Sequence, residues 1–543
     1  MFELGNVGGP LQKVQPLVAT TLSEHDWRND SLAVNEQRLE AFLNNDRRSG
    51  FDLAKLPLWR WNLFRFALND VRLVWTSHHA LFDGRSRLLL MRELFAGYDA
   101  VCRKNSTTWE NGHSFAEFVR WQAHKDDEQN RNYWQNLLEG FSQRTALPER
   151  NHQLSLPMEA SSHLTITRRW TANRTADLQH FAACHGVTVN TLLQGSWALL
   201  IGRYSGSNDV VFGATRACRR SPVTGVETMV GLLINTLPVR VRMPANALVH
   251  DWLQELRGQW IAGRDHEHTS LLKVQQWSEL PPGEPLFESL VVCEKFCLEA
   301  ALWQTNPAWR TRLVRLLGTT PYPLVLAGYF GEECSLEITF DRRRFDAETI
   351  ERMAGHLEAL LDGMLADPYG KLRNVPMLSE RERNQILVEW NHTSTDYPKD
   401  KCIHQIFEEQ VARSPDAVAV VCGSQSLTYR ELSQRANHLA LHLRSLGVGA
   451  NVLVGVSLDR SFEMIIALLG ILKSGGAYWG LEENLPEERF KQALADAQPR
   501  VLLGNRKSFN HLRQFLGKSA TDSSFCISES VLKIKNWLVF WGI

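Results

Sequence analysis

The sequence predicts a mixed α/β protein of more than one unit, and three observations carry that prediction. A strand, a loop and a helix follow one another between Val71 and Ala100; strands and helices alternate again from His163 to Leu365; and a further succession of helices and strands starts after Cys402. The length of 543 residues agrees, since roughly 150 residues per domain suggests three to four units. Hydrophobic residues make up 44% and charged residues 22%, which excludes global disorder and fibrous classes. Lys plus Arg and Asp plus Glu each count 60, so no net field draws nucleic acid or an anionic membrane, and neither is expected as a partner.

The first element is a hairpin: two apolar-alternating runs between Phe51 and Gly84 are separated by Asn69-Asp70, and Val71 to Ser77 reads as a strand. Arg85 to Ala100 follows as a helix, with Leu88, Met91, Leu94, Phe95 and Tyr98 at helical spacing. A second helical run spans Phe115 to Leu138, and a polar, Pro-bearing stretch then breaks the pattern near residues 145–162, where a lobe boundary is expected. Beyond it come a strand at His163–Trp170, helices around Ala176–His185 and Val189–Tyr204, and strands at Asp209–Gly213, Leu237–Val241, Leu286–Cys293 and Ser335–Phe340. A helix from Ala347 to Leu365 follows, striped by Ile350, Met353, Leu357, Leu360 and Leu361.

Residues 376–401 are polar and charged with a proline near each end, the composition of a tether. An α/β pattern restarts after it and is lost by Leu503, so the tail is expected to be irregular. The nine cysteines are scattered and odd in number, with no C-x-x-C, which suggests neither a disulfide framework nor a zinc cluster. The longest apolar stretches, such as Met464–Leu472, are about half what a membrane span needs, and the start resembles no signal peptide. A cytoplasmic protein with no metal is the expectation.

One segment is dense in chemistry-bearing residues: His78-His79 at a strand end, followed by Asp83-Gly84. Alternation along the strand puts His78 with Thr76 and His79 with Ser77 on opposite faces, so the two imidazoles have different roles. An imidazole with a pKa near neutrality can take a proton from, or align, an attacking amine or hydroxyl, which points to acyl transfer. Asp83 can cap the following helix or pair with a buried arginine, and Gly84 permits a backbone conformation that other residues resist.

HHALFDG resembles the H-H-x-x-x-D-G motif of the condensation domains of non-ribosomal peptide synthetases, shared with chloramphenicol acetyltransferase-like acyltransferases. Further stretches resemble that family in order: SFAEFVRWQ, NYWQNLL, DVVFGATRACRR, VGLLINTLPVR, HEHTSLLKVQQW, PLFESLVV and ITFDRRRFD. The resemblance implies a two-lobed, pseudo-dimeric α/β fold of the CoA-dependent acyltransferase kind, with the active site in a tunnel between the lobes. It implies His79 as the catalytic histidine, with His78, Asp83 and Gly84 as motif and structural support. Gly84 would turn its amide to the developing oxyanion. Asn235 and Arg216 are further candidates for tunnel or carrier contacts. Asn235 reads equally well as a strand-end residue satisfying local backbone, while Arg216 and Arg219-Arg220, and also His266 and His268, read first as solvated side chains. Cys293 and Cys297 read as apolar packing.

The implied reaction is amide formation between a carrier-bound aminoacyl amine and a carrier-bound acyl or peptidyl thioester. The implied partners are donor and acceptor peptidyl carrier proteins bearing 4'-phosphopantetheine, with other synthetase modules besides. No G-G-x-S attachment site occurs, so separate carriers are expected and no cofactor is bound covalently. After the tether, SLTYRELSQRANHLALHLRSLGVGANVLVGV and LLGILKSGGAYWGLEENLPEERF resemble the opening of an adenylation domain, an order that favours condensation over epimerization. His78 stands where the heterocyclization subtype has aspartate. No Gly- and Ser/Thr-rich phosphate loop follows, so ATP use is not expected. The S-x-A-Q-x-R and R-H-E-x-L-R stretches that the family places before the histidines are not found, which suggests a shortened first lobe and leaves an alternative: an inactive remnant that binds carrier proteins. The implied organisation is 1–155 as the N-terminal lobe, 156–375 as the C-terminal lobe, 376–401 as linker, 402–505 as a partial adenylation (AMP-binding) region and 506–543 as tail.

Overall fold

A computed structural model describes residues 2–3, 11–106, 112–149, 163–481, 487–504, 526–527 and 538–541, apart from positions 16, 296, 297, 317, 319 and 332. Cys297 and most of the tail therefore lie outside the described residues. The chain divides into two units, Met1–His392 and Thr393–Ile543.

In the first unit the expected hairpin forms from Trp59–Arg65 and Val71–Ser77, paired antiparallel from Trp59 opposite Ser77 to Arg65 opposite Val71. Its turn closes where the Phe66 and Ala67 amides donate to the Asp70 carbonyl. The strand Leu22–Asp26 joins parallel to Trp59–Arg65 and makes a three-stranded sheet, with the helix Leu32–Ser49 between the two strands in sequence. Sequence periodicity did not expose that helix because only Asn35 and Leu39 on it are buried, too thin a stripe to read. Trp27, Leu39, Phe64 and Phe66 form the local core.

The helix Gly84–Cys102 follows, and the second helical run is two helices, Phe115–Ala123 and Asp127–Leu138. The break has a local cause: Asp126 caps the second of them by accepting the Glu128 amide at 2.8 Å.

A six-stranded mixed sheet makes the rest of the unit, in the order His163–Trp170, Cys334–Asp341, Leu324–Phe330, Ser289–Glu294, Asp209–Arg216, Asn235–Arg242. The three strands from Leu324–Phe330 to Asp209–Arg216 run parallel to one another. Leu324–Phe330 carries no alternation because it is buried on both faces, which is why its sequence gives no strand period. The helix Val189–Ser205 is buried at every position from Thr191 to Gly202 and, with Ala347–Ala366, supplies the largest core.

The second unit holds the helices Ile403–Arg413, Tyr429–Ser445, Phe462–Ser474 and Glu487–Ala497. Three strands of its five-stranded sheet, Ala477–Gly480 at the edge, then Leu453–Ser457 and Val501–Gly504, are parallel. Leu538–Trp541, expected to be irregular, pairs antiparallel with Val501–Gly504. Lys473 is buried there, and its ammonium donates to Ser433 Oγ at 3.0 Å and Asn437 Oδ1 at 2.8 Å, with Glu408 at 3.2 Å. No helix among the described residues is long and apolar enough to cross a membrane.

His266 and His268, expected to be solvated, are instead built into the packing of the first unit. His266 stacks on Tyr133 at 4.1 Å and shares a hydrogen bond with Asn130, while His268 meets Trp121 edge-on at 4.8 Å. Burial pulls the His268 imidazole down to about 4. The unfolded chain then binds a proton that the folded chain refuses between about 6.5 and about 4, so this contribution is complete above that window and is lost as pH falls through it. Denaturant unfolding from pH 7 to pH 4 is expected to show a stability loss of up to about 3 kcal/mol from this group. His268→Gln should flatten that slope, and an unchanged slope would refute the assignment.

Candidate active site

The strand Val71–Ser77 ends one residue before the histidine pair. His78 keeps extended geometry, its amide donates to the Leu58 carbonyl at 3.0 Å, and His79 opens a single turn that runs to Leu81. Strand alternation therefore stops short of His79, and it is this turn that separates the two rings. His78 Nδ1 accepts the Ala80 amide at 3.2 Å, so one of its ring nitrogens serves the turn, and Phe51 stands edge-on to the ring at 6.2 Å. His79 is exposed, and its imidazole has no hydrogen-bond partner among the described residues. Phe82, buried, packs on Trp75 at 5.3 Å and closes the turn from below.

Asp83 both caps the helix and pairs with an arginine. Its Oδ1 accepts the Ser86 amide at 2.7 Å and Arg219 Nη2 at 2.9 Å; its Oδ2 accepts the Leu233 and Ile234 amides at 3.1 and 3.2 Å. The carboxylate and guanidinium are 3% and 4% exposed, which makes this a buried ion pair. Arg219, read from sequence as solvated, spends its other terminal nitrogen on the carbonyls of Val226 at 3.0 Å and Met229 at 2.8 Å. Gly231 completes the joint: its carbonyl accepts the Asp83 amide and Ser86 Oγ, and a Cβ there would stand 2.3 Å from the Phe115 ring.

Gly84 needs correction. It lies outside the left-handed region, and an added Cβ would meet only Glu294 Oε1, at an ordinary 3.9 Å. Neither the backbone conformation nor crowding at the Cβ position calls for a glycine here. As the first residue of the helix its amide finds no acceptor among the described residues, leaving a donor at the positive end of the helix dipole.

Asn235 donates to the carbonyls of Glu267 at 2.9 Å and Thr269 at 2.7 Å, the backbone-satisfying role. Arg216 is also turned inward: it donates to the Trp260 carbonyl at 2.9 Å, its guanidinium lies 3.6 Å from the Trp260 ring, and at 8% exposure it does not offer an open phosphate contact. Sequence reasoning missed Arg219 as the partner of Asp83, and it missed Arg87 and Glu294 beside Gly84. A long-range partner leaves no periodic signal.

The first unit thus sets a three-stranded sheet that ends at the histidine turn alongside a six-stranded mixed sheet, tied together by the Asp83–Arg219 pair. The chain belongs to the condensation-domain family, whose model matches residues 1–387, and an AMP-binding enzyme model matches residues 407–536. One of the polypeptides of linear gramicidin synthase from Brevibacillus parabrevis is 39% identical over 494 residues, covering 91% of this chain and 6% of that protein. The chain thus spans a small fraction of the curated relatives it matches. Among solved structures, the nonribosomal peptide synthetase FmoA3 in an AMPPNP-bound form covers 93% of this chain and 53% of its own, with a TM-score of 0.73 at 23% identity. The X-domain from teicoplanin biosynthesis covers 69% of this chain and 85% of its own, with a TM-score of 0.58 at 20% identity. Both structural likenesses bear on the fold alone.

Breaking the buried pair from one side strands the other charge, so Asp83→Ala is expected to cost about 3 to 5 kcal/mol. Chemical denaturation of the variant checks this; wild-type stability with lost activity would assign Asp83 to chemistry instead.

Proposed function

We propose that residues 1–375 join two carrier-bound substrates by an amide bond, with residues 1–155 and 156–375 as the two lobes. Residues 376–401 are the linker, residues 402–505 a partial adenylation region and 506–543 its tail. The acceptor's α-amine attacks the donor's thioester carbonyl; a C–N bond forms, the C–S bond breaks, and the proton lost by nitrogen ends on the departing thiol. The observation that carries this reading is the division of labour in HHALFDG: His78 and Asp83 are used up by the fold, while the His79 imidazole is exposed and unpartnered among the described residues. His79 then aligns the amine or takes its proton. The unpaired Gly84 amide suits the oxyanion of the tetrahedral intermediate. Substrates arrive on the phosphopantetheine arms of donor and acceptor carrier proteins.

With two loaded carriers and product measured by mass spectrometry, His79→Ala is expected to lower the rate by about 10²-fold or more. His78→Ala loses one turn hydrogen bond, about 1 kcal/mol, and shows mainly in the melting curve. Wild-type rates for His79→Ala would overturn the assignment.

We further propose that the 543-residue chain activates no amino acid. Adenylation needs a loop whose backbone cradles phosphate, and residues 402–543 contain no Gly- and Ser/Thr-rich segment of that kind. Amino-acid-dependent ATP–pyrophosphate exchange is expected to stay at the no-enzyme level; exchange with any proteinogenic amino acid would refute this.

A further inference from the structure

Two ionisable side chains near Gly84, Glu294 and Arg87, are employed by nothing described above. Glu294 ends the strand Ser289–Glu294, and the chain beyond it forms the helix Leu298–Thr305. Leu302 and Trp309 of that excursion pack with Leu88 of the helix Gly84–Cys102. That packing brings the Glu294 carboxylate to 3.9 Å from where a Gly84 Cβ would be. Arg87, one turn along the helix, and Asp83 are the charges that bear on it.

Glu294 ends its strand with its side chain reaching solvent, while the protein around it desolvates it in part. Burial raises its carboxyl above the usual range against the pull of Arg87, and burial lowers Arg87 in turn. Neither side chain makes a hydrogen bond or a close ion pair with a described residue. Asp83, by contrast, is saturated by Arg219 and three amides. A carboxylate that reaches solvent and has no hydrogen-bond partner among the described residues is available to the N–H donors of an incoming ligand.

We propose that Glu294 binds the α-ammonium or amine of the acceptor aminoacyl group and so brings the nucleophile to the Gly84 side of the histidine turn. The proposal rests on the amide-forming reading, and no bond is made at Glu294. The match is chemical: a carboxylate only accepts hydrogen bonds, an aminoacyl thioester presents N–H donors beside a carbonyl, and the neighbouring Arg87 can serve that carbonyl. A donor acylated on its α-nitrogen has no free amine next to its thioester, so the site separates the two substrates by charge at that position.

The test is calorimetric titration of the 543-residue chain with a stable aminoacyl-pantetheine amide and with its desamino counterpart. The wild type is expected to bind the amino form at least about tenfold more tightly, as a charge-assisted hydrogen bond would give. Glu294→Gln should bind both forms alike, while Glu294→Asp should keep part of the preference. Absence of preference in the wild type, including failure to bind either ligand, or full preference in Glu294→Gln would overturn the proposal. The carrier assay separates the two readings. A wild type that makes no amide yet shows the Glu294-dependent preference refutes amide formation and keeps the amine site. A wild type that makes amide with the same acceptor KM as Glu294→Gln keeps the reaction and refutes the site.

Discussion

A carboxylate and a guanidinium buried together stay charged only when the surroundings replace the water they lost, because desolvation costs several kcal/mol per ion. Asp83 and Arg219 meet that condition from two distant parts of the chain. The aspartate collects two amides from the Leu233-Ile234 segment and one from its own helix, and the arginine collects the carbonyls of the preceding loop. The helix Gly84–Cys102 can therefore start in only one place relative to the loop at Val226–Ile234. Since His79 lies four residues upstream of Asp83, across a turn closed by buried Phe82, the same pair fixes where the imidazole stands.

This arrangement separates support from chemistry. Groups whose hydrogen bonds go to the fold, namely His78 Nδ1, Asp83, Ser86 Oγ and the two terminal nitrogens of Arg219, hold the shape. The groups left over are the His79 ring, the Gly84 amide and Glu294, the last of which lies 3.9 Å from where a Gly84 Cβ would be.

How much of this was legible depended on sequence distance. HHALFDG could be read because its residues are contiguous and chemically dense, and Asp83 at the head of a helix reads as a cap from position alone. Arg219 could not be chosen over Arg220 or Arg216, because what distinguishes it is a carboxylate 136 residues away. The hairpin at Val71 and the striped helix at Ala347 showed their periods plainly, whereas Leu324–Phe330, buried on both faces, had no period to show. His266 and His268 read as solvated from composition and were wrong for the same reason: their aromatic neighbours Tyr133 and Trp121 come from other elements. Gly84 was misread differently, through a general property of glycine that its backbone conformation does not call on.

The position of Glu294 also follows from sheet topology. Ser289–Glu294 is an inner strand flanked by two parallel neighbours, and in sheets of this kind the crevice past the carboxyl ends of parallel strands is the place a ligand finds open space. Arg216 and Glu294 both end parallel strands there, but Trp260 claims the arginine while the chain beyond Glu294 turns away toward the helix at Gly84. The strand thus delivers its last side chain beside Gly84, the first residue of the helix that follows the histidine turn. Helix Val189–Ser205, buried along twelve consecutive residues, backs that sheet through a tightly packed core, so the carboxylate is presented from a rigid platform. A flexible loop could place the same residue near Gly84 only part of the time; a central strand holds it there without further ordering cost.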